Sequence, residues 1–426
     1  MRYSFKLTLI LVLSAVCVTG VPVELESGTT VNVNGNFSIP VTHNASAANH
    51  NGPQAFHNAI KKWGIAKNLP SGDYLKGGLV LDNVVSKRLF NLVQDTSVTA
   101  TPGSRDVQYT IPVNIGIPAQ ALKINVDTGS ADFWVFSSSQ PTSQTTSHTT
   151  FNPKKSLVYS NLTGYSWSIQ YADGSGASGE VGVDTVEVGK ATVLRQAVEL
   201  AKTVSSGFIS GGNDGIMGLA FGKLNSVSPR QVRTFFENVM YSLSNKLFTA
   251  YLRHSAQGSY DFGYIDSKKY NGTIKYTPLA NANGFWEFTS NYYKVGETNY
   301  THPEASTAVA DTGTSLLLVS SDAAKNYYAT VPGAQANSQV GGYILPCTSR
   351  SLPTFSFNVG PNIASIGGQN IIYGTTLGKL NGVSYCFGAI QPISGNQFIF
   401  GDIFFKQNFA VFDYGNARFG FAPHDY

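Results

Sequence analysis

Val126-Asp127-Thr128-Gly129-Ser130 returns later in the chain as Ala310-Asp311-Thr312-Gly313-Thr314. An apolar, glycine-containing run follows each copy at a similar distance: Gly215-Ile216-Met217-Gly218-Leu219-Ala220-Phe221 after the first, Phe398-Ile399-Phe400-Gly401-Asp402-Ile403-Phe404 after the second. The period is far too long for a solenoid. Two similar lobes, each carrying one Asp-Thr-Gly, account for it. From Val107 onward the chain consists of short runs rich in Val, Ile, Tyr, Phe and Thr, punctuated by Gly, Asn, Asp and Ser, which is strand texture. Gln120 to Val126 alternates apolar and polar residues with period two, marking a strand with one buried face. Helix signals are few. Ser228-Pro229-Arg230-Gln231 reads as a helix start, with Val232, Phe235, Phe236 and Val239 at helical spacing behind it, and a second short helix is expected after Ser320-Ser321-Asp322. The expected architecture is mainly β: two pseudo-symmetric β lobes, a few short helices and a cleft between the lobes.

Composition bounds the function. Of 426 residues, 13% are charged and 42% hydrophobic, with 43 glycines, which excludes a disordered chain, a coiled coil and a collagen-like fibre. A net charge of +4 with no concentrated basic run leaves no footprint for nucleic acid. Arg2 and Lys6 precede the apolar run Leu7 to Val18, which ends at Thr19-Gly20; this is the pattern of a cleaved secretory signal over residues 1–20 and too short for a membrane anchor. If Cys17 leaves with the signal, Cys347 and Cys386 remain in an oxidising compartment, where a disulfide between them is expected. Residues 21–92 differ in texture and read as a removable prosegment, its end falling between 88 and 97 beside the dibasic Lys87-Arg88. The amino-terminal lobe is then 93–268 and the carboxy-terminal lobe 269–426, divided near the turn-rich Asp266-Ser267-Lys268-Lys269.

An aspartate ending a buried strand needs hydrogen-bond donors, and the following Thr, Gly and Ser or Thr supply hydroxyls and a sharp turn. Symmetric lobes would bring Asp127 and Asp311 face to face. Like charges that close cannot both ionise readily, so the pair shares one proton and holds an acid and a base around a single water. That suits attack of water on a peptide carbonyl without a covalent intermediate or a metal.

The residues also show a resemblance to pepsin-like aspartic proteases, most nearly the fungal secreted penicillopepsin and aspergillopepsin type. Six segments in the family order carry it, across residues 105–426: Val126 to Phe136, Trp167 to Ser175, Asp214 to Phe221, Tyr260 to Ser267, Ala310 to Leu318 and Phe400 to Phe404. The resemblance implies a bilobal acid protease fold, a monomer, and peptide and protein substrates, with Asp127 and Asp311 catalytic and no cofactor or metal. It implies that Tyr171 tips a hairpin flap and that Trp134 hydrogen-bonds it. Ser130 and Thr314 would steady the carboxylates, Thr128 and Thr312 would cross between lobes, and Gly129 and Gly313 would lie where substrate backbone passes. Asp173, beside Tyr171, would let the primary pocket accept Lys as well as large apolar residues. Lys61-Lys62-Trp63-Gly64 resembles the plug of family proenzymes, with Lys62 against the aspartates until acid releases it. Ala172 replaces a glycine common in the flap, and the amino-terminal lobe lacks the cysteines of digestive and vacuolar members, which favours a secreted enzyme over a vacuolar one.

Gly174-Ser175-Gly176-Ala177-Ser178-Gly179 matches a dinucleotide fingerprint, and Glu199 even stands at the acidic position beyond it, but the sequence that follows alternates as a strand rather than a helix. The histidines His148, His254, His302 and His424 are scattered in polar or turn-like surroundings, so no metal site is expected. Asn161, Asn271 and Asn299 open N-glycosylation sequons. A catalytically silent binding protein or inhibitor of the same fold is the alternative function, and it would ordinarily lack an aspartate, a motif glycine or the flap tyrosine, all present here.

Overall fold

The computed structural model describes residues 37–43, 109–171, 175–302, 304–338 and 340–425. The signal, Lys62, the dibasic site and Asp173 lie outside the described residues.

Each half is built on the same pairing scheme. In the first, strand Gln120–Asp127 runs parallel to Gly215–Gly218, with Asp127 opposite Gly218. The return strand Phe133–Phe136 lies antiparallel on the other side of Gly215–Gly218 and parallel to Ala191–Val204. In the second, Thr307–Ala310 runs parallel to Gln397–Phe400, and Leu317–Ser320 returns antiparallel to it and parallel to Ile390–Ile393. Short Val- and Ile-rich runs suit these central strands because both faces are covered and nearly every residue is buried. The aspartate therefore leaves its strand at the same place in each half, where the chain turns back to form the return strand.

A thirteen-stranded sheet takes strands from both halves. Within it Leu247–Arg253 pairs with Ala256–Phe262 on one side and with Asn408–Asp413 on the other. Strand Phe37–His43, from the expected prosegment, lies between Ala256–Phe262 and the start of Tyr109–Ile115. Aromatic side chains pack beneath: Phe248 stacks on Phe412 at 4.6 Å, and Trp286 donates its indole N–H to the Leu219 carbonyl at 2.9 Å, tying the second half to the first. Cys347 and Cys386 are joined by a disulfide. Among the described residues no helix is long and apolar enough to cross a membrane.

One expected helix begins elsewhere. Ser228 does not cap a helix; its backbone forms a bridge with Ser166, and the Gln231 amide donates to the Lys223 and Asn225 carbonyls. The helix is Phe235–Val239, started by Thr234, whose hydroxyl accepts from Glu237 N while the Glu237 carboxylate accepts from Thr234 N. Ser320 does cap helix Ser321–Ala329, its side chain accepting from Ala323 N.

Candidate active site

Both aspartates are removed from water, Asp127 at 2% and Asp311 at 0% exposure, and each is met by two local donors. Asp127 Oδ1 accepts from Gly129 N at 2.8 Å and Oδ2 from the Ser130 hydroxyl at 2.7 Å. Asp311 Oδ1 accepts from Gly313 N at 2.9 Å and Oδ2 from the Thr314 hydroxyl. Donors aimed at a carboxylate offset part of its desolvation, which is why a hydroxyl residue stands three positions after each aspartate.

The threonines between them join the two halves. Thr128 N donates to the Thr312 hydroxyl at 3.2 Å, and Thr312 N donates to the Thr128 hydroxyl at 2.9 Å. Each hydroxyl in turn donates to the opposite chain, Thr128 to Ala310 O and Thr312 to Val126 O, both at 2.9 Å. Every polar atom of this exchange is buried and satisfied, so the two Asp-Thr-Gly loops are fixed to each other. Gly129 is buried in that arrangement, whereas Gly313 is exposed.

Trp134 donates its indole N–H to the Tyr171 hydroxyl at 3.0 Å. Tyr171 ends the strand Ser160–Gln170 side of a hairpin whose other arm is Gly176–Val188, and Tyr171 N closes onto Ser175 O at 2.8 Å. Burial, and then the nearby Asp127, push the Tyr171 phenol well above its usual range, with the Trp134 N–H pulling the other way. The tyrosine thus keeps its hydrogen, and since its oxygen already accepts from Trp134, that hydrogen is oriented for donation. Phe208 packs edge-on against both rings, 5.2 Å from Trp134 and 5.4 Å from Tyr171.

Sequence reasoning did not single out Phe208, nor Asn225 and Ser226, which reach the turn after Asp127. Ser226 donates from its N and its hydroxyl to Asp132 Oδ1, and Asn225 Nδ2 donates to Ala131 O. No local pattern marks these residues; they are brought in by the pairing of distant strands. Strand Gly176–Val188 removes the dinucleotide reading of Gly174 to Gly179. Two of the histidines differ from their expected surroundings, His148 stacking on Phe136 at 3.7 Å and His302 lying between Tyr293 and Phe398, whereas His254 sits in an exposed turn. The sequon asparagines Asn161, Asn271 and Asn299 are all exposed.

Carboxyls presented alike by two like halves, bound together by crossed threonines, define a pepsin-type aspartic endopeptidase, and comparison with known proteins agrees. The family model described as eukaryotic aspartyl protease matches residues 108–424, and the chain belongs to that family. It is 40% identical to aspergillopepsin-1 of Aspergillus fumigatus over 98% of both chains. It is 40% identical to penicillopepsin-3 of Penicillium janthinellum, covering 91% of this chain and 92% of that one. Endothiapepsin of Cryphonectria parasitica is 44% identical over 80% of this chain and 82% of its own. The crystal structure of the aspartic proteinase from Irpex lacteus superposes with a TM-score of 0.62 at 26% identity, covering 75% of this chain and 95% of that chain.

Proposed function

We propose that the protein is secreted as a zymogen and hydrolyses peptide bonds at acid pH, with Asp127 and Asp311 sharing one proton and one water. The observation that supports this most directly is the Thr128–Thr312 exchange, which holds two buried aspartates on facing loops, each one residue from a bond that crosses between the halves. Two carboxyls so placed divide into one ionised and one protonated group, and the proton belongs to the pair. The ionised member takes a proton from the water as its oxygen bonds to the peptide carbon. The protonated member gives its proton to the carbonyl oxygen. As the resulting diol collapses and the C–N bond breaks, one diol hydroxyl gives its proton to the ionised member and the protonated member gives its proton to the leaving nitrogen, so the pair again holds one proton. Tyr171, on a hairpin above the loops, excludes water and donates to substrate. Gly129 and Gly313 border the path of the substrate backbone.

Large apolar residues, and Lys through Asp173, are the proposed preference on the acyl side of the scissile bond. The amino-terminal segment is the proposed intramolecular inhibitor, with Lys62 against the aspartates. Two findings support a leader that belongs to the fold: strand Phe37–His43 is seated in the large sheet, and the match to aspergillopepsin-1 spans nearly the whole chain. Protonation of the aspartates in acid weakens an ion pair with Lys62 and releases the segment. Acidifying the purified full chain should give a stepwise loss of mass together with haemoglobin digestion that a statine-type inhibitor blocks. Constant mass and no inhibitable digestion at any acid pH would contradict the proposal.

A further inference from the structure

Glu199 stands opposite Trp134 because strand Phe133–Phe136 runs parallel to Ala191–Val204, and its side chain turns beneath the Asp127 turn instead of toward solvent. Glu199 and Asp132 are each 1% exposed, and their carboxyls are in hydrogen-bond contact with each other. Their remaining partners are neutral donors. Asn225 Nδ2 reaches Glu199 Oε1 at 2.9 Å and Asp132 Oδ1 at 3.3 Å, and Ser226 reaches Asp132 Oδ1 from its N at 2.8 Å and its hydroxyl at 2.7 Å. The Phe133 backbone N–H also faces the Glu199 carboxyl, while Asp132 Oδ2 and Glu199 Oε2 are each left without a donor in hydrogen-bonding geometry. The ionisable groups facing the pair are Asp127 and Tyr171, neither of them a cation. The flanking strands place Val181 and Leu200 beside Glu199 and Ile216 beside Trp134.

Two buried carboxylates in contact and without a cation cannot both be charged. A single proton between them turns the contact into a hydrogen bond and satisfies the two oxygens that otherwise lack a donor. We propose that Asp132 and Glu199 share one proton, that this bond positions the Asp127 turn against Asn225, Ser226 and Trp134, and that its loss sets the alkaline limit of the folded enzyme. Burial is the first cause holding both carboxyls above their ordinary range, Glu199 well above it, and their mutual contact adds to the rise for Glu199. The sign follows from linkage: above about pH 4 the unfolded chain gives up this proton while the native chain keeps it, so the pair's contribution is complete in acid and declines as pH rises through the native titration.

The proposal rests on the acid-protease reading for its activity readout alone, so its test begins with folding. In the full chain carrying Asp311→Asn, where self-digestion should stop, near-ultraviolet circular dichroism is followed from about pH 4 upward. Glu199→Gln replaces the shared proton by a permanent N–H donor and should raise the midpoint of unfolding by about one pH unit or more. In the chain with both catalytic aspartates, the pH of half-inactivation on alkaline incubation, assayed afterwards in acid where the catalytic pair holds its own proton, should rise by the same amount. A midpoint that is unmoved or lowered overturns the proposal. Should Glu199→Gln not fold in acid, Asp132→Asn carries the same expectation from the other partner. Independently, the Asp311→Asn chain should show the infrared carbonyl band of a buried protonated carboxyl above the ordinary carboxylate range, and its absence also overturns the proposal. Self-digestion persisting in Asp311→Asn, visible as falling mass, would instead count against the catalytic assignment.

Discussion

Thr128 and Thr312 each follow an aspartate, and each hydroxyl accepts the other's backbone N–H. The internal repeat made that pairing legible, because like motifs in like halves occupy equivalent places. Glu199 shows the opposite case. It drew attention in the sequence only through its spacing from Gly174 to Gly179, whereas its real neighbour, Asp132, is chosen by strand register and leaves no local signal. Asp173 belongs to this scale as well, midway in sequence between Tyr171 and Ser175, whose backbones are bonded at 2.8 Å. A carboxylate near the primary pocket favours a cationic side chain and is indifferent to an apolar one. Asp173→Ser is therefore expected to lower kcat/KM for cleavage after Lys by about tenfold, the loss of one charge-assisted contact, and to leave cleavage after Phe or Leu nearly unchanged. Parallel assays on two peptides differing only at that residue decide it, and equal losses on both would remove Asp173 from specificity.

At the scale of elements, the apolar strand ending in glycine is the less obvious half of the repeat. Gly218 and Gly401 follow Met217 and Phe400 directly, and the turn after each aspartate crosses over them. A Cβ on Gly218 would meet Ser130 O at 2.5 Å and Ala131 at 2.6 Å; on Gly401 it would strike the Thr314 and Leu316 carbonyls. These are backbone atoms on the very turns that supply the hydroxyl donors of Asp127 and Asp311. Gly401→Ala should cost about 1–3 kcal/mol of stability through overpacking and reduce activity with it. Gly378→Ala, where a Cβ has no neighbour within 4 Å, should change stability by less than about 0.5 kcal/mol. Thermal unfolding of the two variants checks the contrast, and equal behaviour would show that the crossing does not require glycine. The helix expected from Ser228 failed for a related reason. Its pattern was correct from Phe235 onward, but Ser228 is used in a bridge to the distant Ser166 and Gln231 in bonds back to the Lys223 and Asn225 carbonyls, which no helix signal can report.

For the whole molecule, the formal charge of +4 divides unevenly. Residues 1–88 carry 8 Lys+Arg and 4 Asp+Glu, so residues 89–426 hold 21 of each. Residues 89–426 therefore carry no formal net charge at neutral pH, and burial holds the carboxyls of Asp132 and Glu199 above their ordinary range. Both features suit acid rather than neutral conditions. The two-lobed plan was legible because a duplicated motif survives in both halves. The seating of strand Phe37–His43 was not, since a short run with no repeat partner carries no sign of which edge it joins. The central claim is that two aspartates from like halves act as one catalytic unit. It is tested most directly by measuring kcat for a peptide substrate at acid pH in Asp127→Asn and Asp311→Asn, with circular dichroism confirming that each variant is folded. Loss of either partner should lower kcat by about a thousandfold or more, and losing both should cost little beyond that, because members of one unit are not additive. A folded single variant retaining activity within about tenfold of the parent would contradict the account.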